Sequence, residues 1–321
     1  MMNKDFSYYL SKFLKDYLIM ERNMSLNTIR SYKKAFQILV DYLVNIKSFK
    51  LKNITFENIT REIIIDFLNY LEDDKKNSIR TRNQRLACIK SFYQYCAIDE
   101  IDNIDNIRKI LSIKVKKETK KVMNYLTENE LKTILDSIDT STEKGRRNLI
   151  IHTLLYDTAA RASEIINLKV EDIHLEEKYI ILIGKGNKQR IVPMMEQTKK
   201  LLIRYVEENH IKNGYLFNIN GKKISQYTLT KIINKYSKKI NKQISPHTFR
   251  HTRAVHLLDK GVNIIYIQEL LGHTSVNTTM EYAKVIEKSK FEAIKKVNPK
   301  MDNNLPDWND DDDLLSQLLN L

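Results

Sequence analysis

Apolar residues return every three or four positions through most of this chain, the period of amphipathic helices. The first such stretch is 6–20, FSYYLSKFLKDYLIM. Three more follow at 25–43, 60–71 and 78–97, with Ser25 and Thr60 placed as N-caps of the first two. Four helices with short connections predict a helical bundle over 1–111. The period then fails over 112–123, SIKVKKETKKVM, which predicts a linker.

From residue 124 the helical pattern resumes. Thr127 and Glu130 form a capping-box pair before LKTILDSI, and 148–158, NLIIHTLLYDT, is an apolar helix. Two β-rich runs, KYIILI at 178–183 and RIVPM at 190–194, flank GKGNKQ and predict a hairpin. Helices are then expected over 197–209, 225–240, 246–259, 263–271 and 275–297. Pro246 suits a first helical turn, and Gly261 and Gly272 suit helix C-termini. The expected fold is mainly α (α+β). It comprises a helical-bundle domain over 1–111, a basic linker over 112–123, and a mostly helical domain over 124–300 with one small antiparallel sheet. A tail follows over 301–321.

Composition narrows this picture. With 321 residues, 42% hydrophobic and 29% charged, the chain supports two ordinary cores. No run reaches the roughly 18 apolar residues of a membrane span, and no signal-peptide stretch opens the chain, so no membrane partner and a cytoplasmic location are expected. Cys88 and Cys96 are the two cysteines. They share one predicted helix without metal-ligand spacing, which reads as buried free thiols. Net charge is +14, yet the tail holds six aspartates and no Lys, Arg or Glu, leaving +20 on the rest. Such a body suits a polyanion such as nucleic acid, although lysine-rich composition alone also accounts for it. The linker lysines Lys114, Lys116, Lys117, Lys120 and Lys121 fit a solvated connector or one that crosses a DNA backbone.

The candidate chemistry lies in two places. Ser245, Pro246 and the residues after them read SPHTFRHTRAVHLLDKGVNIIYIQELLGHTSVNTTMEYA, which brings His247, Arg250, His273 and Tyr282 into one short segment. Arg161 lies upstream, flanked by Ala159, Ala160 and Ala162, with Glu164 three residues on to orient its guanidinium. Two planar guanidiniums can hold the non-bridging oxygens of a phosphodiester and stabilise the added charge of its transition state. His247 and Arg250, three apart, share a helical face, and a histidine can accept a tyrosine's proton. A phenol with a pKa of about 10 needs such help to become a nucleophile. His251 and His256 read as packing or surface residues. A zinc site on His247, His251 and His256 lacks the glutamate of the HExxH pattern, so no metal is expected. In the hairpin turn, Lys185 can protonate a leaving oxygen, with Lys188 as a rival in the same loop.

In identity and order these segments resemble the tyrosine recombinases, the phage-integrase family. LLYDTAARASEIINLKVEDI is similar to the family's first arginine block and gives Arg161. IGKGNKQRIVPM is similar to its hairpin and gives Lys185. SPHTFRHTRAVHLL resembles its HxxR box and gives His247 and Arg250, and LLGHTSVNTTMEYAKV its LLGH box, giving His273 and Tyr282. The N-terminal helices resemble the family's core-binding domain, a SAM-like DNA-binding bundle. The resemblance spans about 6–297, without an added N-terminal arm-binding module, and lies nearest the short Xer-type members. One departure is AARASE, where many relatives carry a glycine before the arginine; the acidic tail is a second.

The resemblance implies that Tyr282 attacks the scissile phosphate, forming a 3′-phosphotyrosyl bond and freeing a 5′-hydroxyl, with no cofactor, metal or ATP. It also implies a homo-tetramer on two double-stranded DNA recombination sites. In the family a C-terminal segment docks on a neighbouring protomer. Here Leu314, Leu315, Leu318 and Leu319 form a stripe near Leu321 that would dock in trans or cap its own domain. An accessory recombinase or regulatory protein is left open as a further partner. Chromosome-dimer resolution, mobile-element integration or excision, and inversion by a DNA invertase share this chemistry. The competing readings are a type IB topoisomerase-like relaxing enzyme and a DNA-binding protein whose catalytic set has decayed.

Overall fold

The computed structural model describes residues 5–118, 123–219, 221–273 and 275–283, apart from the side chain of Lys185. The chain divides into two units, 1–121 and 122–321.

In the first unit, Asp5 caps α1 (Phe6–Lys12) by accepting from Tyr8 N at 2.8 Å, and the chain continues as a π-helical stretch, Phe13–Glu21. Ser25, Thr60 and Ser78 cap α2 (Leu26–Asn45), α3 (Arg61–Asp73) and α4 (Ile79–Cys96) through their side-chain oxygens. A fifth helix, α5 (Ile104–Leu111), extends the expected set of four. It is two turns long, too short for a periodic signal, and is held by tertiary contacts: Ile107 and Ile110 are fully buried, and Asn106 Nδ2 donates to Phe56 O and Ile59 O at 2.6 and 2.9 Å. Phe92 centres the core, with its ring 5.1–5.4 Å from those of Phe6, Phe13 and Phe36. Cys88 and Cys96 are buried free thiols. Beyond α5 the chain stays attached to this unit. Ile113 joins the core, Lys116 exchanges backbone bonds with the Asn83 amide, and Lys116 Nζ pairs with Glu72 at 2.8 Å.

The second unit opens with α6 (Glu128–Asp136), which has the expected capping box, and α7 (Glu143–Asp157). Helix α7 starts five residues before the expected 148, because Thr142 caps a polar first turn that periodicity does not mark. After α8 (Ala162–Asn167) comes an antiparallel sheet of β1 (Ile173–His174), β2 (Tyr179–Ile183) and β3 (Gln189–Pro193), with Leu182 opposite Arg190. Helix α9 (Glu196–Glu208) leads to β4 (Asn218–Ile219) and β5 (Lys222–Lys223), a second ladder where one sheet was expected. Two-residue strands carry no alternation to read. The chain closes with α10 (Gln226–Ser237), α11 (Pro246–Asp259), α12 (Ile264–Leu271) and α13 (Val276–Ala283). The continuation expected to residue 297, and the tail, lie outside the described residues. A small buried cluster of Ala159, Ala254, Val255, Ile267, Leu271 and Tyr282 packs α11, α12 and α13 together.

Truncating Phe92 to alanine removes the hub of the first core. The expected loss is about 3–5 kcal/mol in urea unfolding of the full chain; a loss below about 1 kcal/mol would show that the aromatic cluster is not what holds this unit.

Candidate active site

The site begins where α7 stops. Ala159 takes a left-handed backbone (φ 49°), which turns the chain sharply into α8. An alanine there carries strain of roughly 1–2 kcal/mol that a glycine would not. This is the physical setting of the AARASE departure: the turn is made without the glycine. Its carbonyl is then used, since Ala159 O accepts from Arg250 Nη1 at 2.8 Å.

Arg161 is the N-cap of α8, and Glu164 returns a bond to its backbone nitrogen at 2.7 Å. The same carboxylate accepts from Arg161 Nη1 at 2.9 Å, the orienting contact expected from their spacing. A second guanidinium shares it: Arg190, on β3, donates from Nη1 and Nη2 to the two oxygens of Glu164, both at 2.8 Å. Glu164 is only 2% exposed. Burial pushes its pKa up, but the bonds and charge of Arg190, then those of Arg161, overcome this and hold it at about 2.

The guanidiniums next reach the end of α12. Arg190 Nε donates to Leu270 O at 2.9 Å, Arg250 Nη2 donates to Leu271 O, and Arg161 Nη2 donates to Gly272 O at 3.3 Å. Three consecutive carbonyls thus each receive one arginine. Gly272 suits this position on two counts. Its φ is +60°, and a Cβ would meet Arg190 Cδ at 3.2 Å. Arg250 is 3% exposed, and burial followed by the charges of Arg161 and Arg190 lowers its pKa to about 10, so it remains cationic at neutral pH.

Past Gly272, His273 Nδ1 bonds Thr279 Oγ1 at 3.0 Å. The His273 ring lies parallel to that of Tyr282, with centroids 6.4 Å apart. Tyr282, on α13, is 3% exposed; burial raises its pKa, and Arg250 and Arg161 oppose that rise. Its hydroxyl is hydrogen-bonded to His251 Nδ1 at 3.0 Å. The sequence reading of His251 as a packing or surface residue did not include this contact. His247 stands one turn earlier on α11, its exposed ring 6.1 Å from that of His251. Burial lowers the pKa of His251 and His273 to about 4, with neighbouring positive groups adding to it, so both imidazoles are neutral at neutral pH. His256 is a packing residue, bonded to Tyr156 Oη and Leu126 O.

A cavity of 680 Å³ opens beside this group, lined by Arg161, Gly184, Lys188, Arg190, His273 and Thr278 among others. Lys185 begins the short 3-10 turn Lys185–Asn187 between β2 and β3, and Lys188 reaches the cavity wall. Arg161, His247, Arg250, His273 and Tyr282 therefore meet in one place, joined by two residues that sequence reasoning missed, Arg190 and His251. The signals were faint: Arg190 follows the hairpin turn, and His251 lies at i+4 from His247. Of the linker lysines, Lys114 and Lys117 are exposed on the first unit, Lys116 is paired with Glu72, and Lys120 and Lys121 lie outside the described residues. Among the described residues no cluster of His, Cys, Asp and Glu has metal-site geometry, and no helix is long and apolar enough to cross a membrane.

Because Glu164 has a depressed pKa, its stabilisation is complete above its ordinary value of 4.5 and is lost as pH falls toward 2. Glu164→Gln should cost about 3 kcal/mol in urea unfolding at pH 7 and flatten the acid loss between pH 4.5 and 2; an unchanged acid profile would contradict the ion-pair assignment.

Comparison with known proteins places this geometry. Residues 124–288 match the phage integrase family, and residues 11–99 match the phage integrase N-terminal SAM-like domain. The chain is 32% identical over 294 residues to tyrosine recombinase XerD of Listeria monocytogenes, covering 88% of this chain and 96% of that protein. It is 36% identical over 225 residues to tyrosine recombinase XerA of Pyrococcus horikoshii, covering 68% and 74%. Among solved structures, the post-cleavage complex of the XerH site-specific recombinase with a palindromic difH substrate matches with a TM-score of 0.68 at 25% identity, covering 90% of this chain and 83% of that one. With the arginines, histidines and tyrosine of the recombinase pattern gathered beside one cavity and both family domains matched along its length, the chain belongs to the phage integrase family and is a tyrosine recombinase similar to the Xer-type members.

Proposed function

We propose that this recombinase binds double-stranded DNA recombination sites and cuts one strand with Tyr282. The observation that carries the reading is the docking of Arg161 and Arg250 on consecutive carbonyls, Gly272 and Leu271, beside the Tyr282 ring system. Their remaining donors then serve the two non-bridging oxygens of the scissile phosphate, and His273 adds a third contact from the cavity wall. Positioned cationic donors in a water-poor site stabilise the charge that builds on a pentacoordinate phosphorus. Tyr282 Oη attacks phosphorus, the bond to the 5′-oxygen breaks, and a 3′-phosphotyrosyl link forms. The departing oxygen takes a proton from Lys185. The 5′-hydroxyl of a partner strand reverses the step, so bond energy is retained without ATP.

Four protomers act on two sites, and the leucine-striped tail docks in trans on a neighbour's catalytic unit. An apolar groove of 680 Å³ between β3 and α12, where Ile191 and Tyr266 are exposed, supports that docking. The exposed Lys114 and Lys117 contact the DNA backbone, and the enzyme works in the cytoplasm, with chromosome-dimer resolution or mobile-element movement as its role.

The test is trapping on a nicked duplex whose site is selected from random DNA by binding to this protein. Wild type should form a covalent adduct and Tyr282→Phe none; an adduct surviving in Tyr282→Phe would refute the nucleophile assignment. Deleting residues 302–321 should reduce tetramer assembly on DNA while leaving single-site binding intact. Unchanged assembly and cleavage would remove the tail from the mechanism.

A further inference from the structure

Tyr282 raises a proton problem. Its hydroxyl must lose a proton as it attacks, yet the residue is 3% exposed, which denies bulk water ready access to it. The family pattern offers the HxxR histidine, His247, as the base. The structure sets a different histidine against the reacting atom. His251 Nδ1 lies 3.0 Å from Tyr282 Oη, with the two ring centroids 5.6 Å apart. His247 lies one helical turn earlier on α11, its ring 6.1 Å from that of His251, and no hydrogen bond joins it to Tyr282 among the described contacts.

We propose that His251 is a catalytic residue, the base that takes the proton of Tyr282 in cleavage and returns it in rejoining. This rests on Tyr282 being the nucleophile. With the ring protonated on Nε2, the Nδ1 lone pair accepts the phenolic hydrogen bond. As the Oη electron pair forms the bond to phosphorus, the proton moves along that 3.0 Å contact to Nδ1. The P–O5′ bond breaks and its electron pair leaves on the 5′-oxygen, which is protonated separately by the general acid. In the reverse step the 5′-hydroxyl displaces Tyr282, whose oxygen recovers the proton from Nδ1. Atoms and charge balance without any further reactant. Packing fixes the geometry: α11 carries His251 and α13 carries Tyr282, and the buried side chains of Ala254, Val255 and Leu271 lock the two helices together. A neutral ring is the one able to accept, and burial of His251, together with the nearby His247 and Arg250, keeps it neutral.

The experiment measures single-turnover adduct formation by the full chain on the selected nicked duplex described above. One version carries an ordinary phosphodiester; the other has sulfur at the 5′-bridging position, whose thiolate leaves without a proton. His251→Ala and His251→Asn should bind the duplex as wild type does but form adduct at least about 10²-fold more slowly. Asparagine can hold the tyrosine hydroxyl but cannot take its proton, so a wild-type rate in His251→Asn would overturn the proposal. The defect should persist on the sulfur substrate, whereas that of Lys185→Ala should be relieved there. Relief of the His251 defect by sulfur would assign it to the leaving group and overturn the proposal. Added imidazole should restore part of the His251→Ala rate, and none of the Tyr282→Phe rate. If His251→Ala melts at a lower temperature, His251→Asn carries the comparison. No adduct in wild type would be a failure of Tyr282 as nucleophile; a wild-type adduct rate in both His251 variants would be a failure of the proton transfer alone.

Discussion

One buried carboxylate organises the catalytic unit. Glu164 gives both oxygens to Arg190, one of them also to Arg161, and its second oxygen to the Arg161 backbone. It thereby ties together the start of α8, strand β3 and, through the two arginines, the last carbonyls of α12. The hairpin is held close as well, because a Cβ on Gly184 would come within 3.1 Å of Glu164 Oε1. A buried ion pair is not in itself a strong source of stability, since desolvation offsets much of its attraction. What it provides here is geometry. The guanidinium planes of Arg161 and Arg190 are both held by this one carboxylate.

That arrangement has an electrostatic cost that the rest of the site absorbs. Arg161, Arg190 and Arg250 bring three positive charges against one carboxylate, and each lowers the pKa of nearby groups. Carbonyls rather than further carboxylates satisfy Arg250, so the site keeps a net positive field for a phosphodiester. Burial keeps the histidines neutral, with neighbouring positive groups adding to it, and the charges of Arg250 and Arg161 oppose the rise that burial imposes on the Tyr282 pKa.

Much of this architecture is legible in the amino-acid sequence. Capped, periodic helices such as α2, α3 and α11 announce themselves through Ser25, Thr60 and Pro246, because caps and periods are local. The hairpin is legible because its two β-rich runs flank a glycine turn. Helix α5 and the two-residue strands are not, since they persist only through tertiary contacts. At the site, Glu164 can be paired with Arg161 because three residues separate them. Arg190 meets the same carboxylate across 26 positions, and His251 meets Tyr282 across 31, so only folding reveals either partner. His251 is further obscured by its neighbour: two histidines at i and i+4 on one helix look alike in sequence, and the packing of α13 decides which one faces the phenol.

The central claim is that Tyr282 forms the bond to DNA inside this arginine-built site. The direct measurement is mass spectrometry of the protease-digested covalent adduct, locating the residue that carries the nucleotide and the linkage it uses. A 3′-phosphate ester on Tyr282 is the expected result. A nucleotide on any other residue, or a 5′-phosphate linkage on Tyr282, would contradict it.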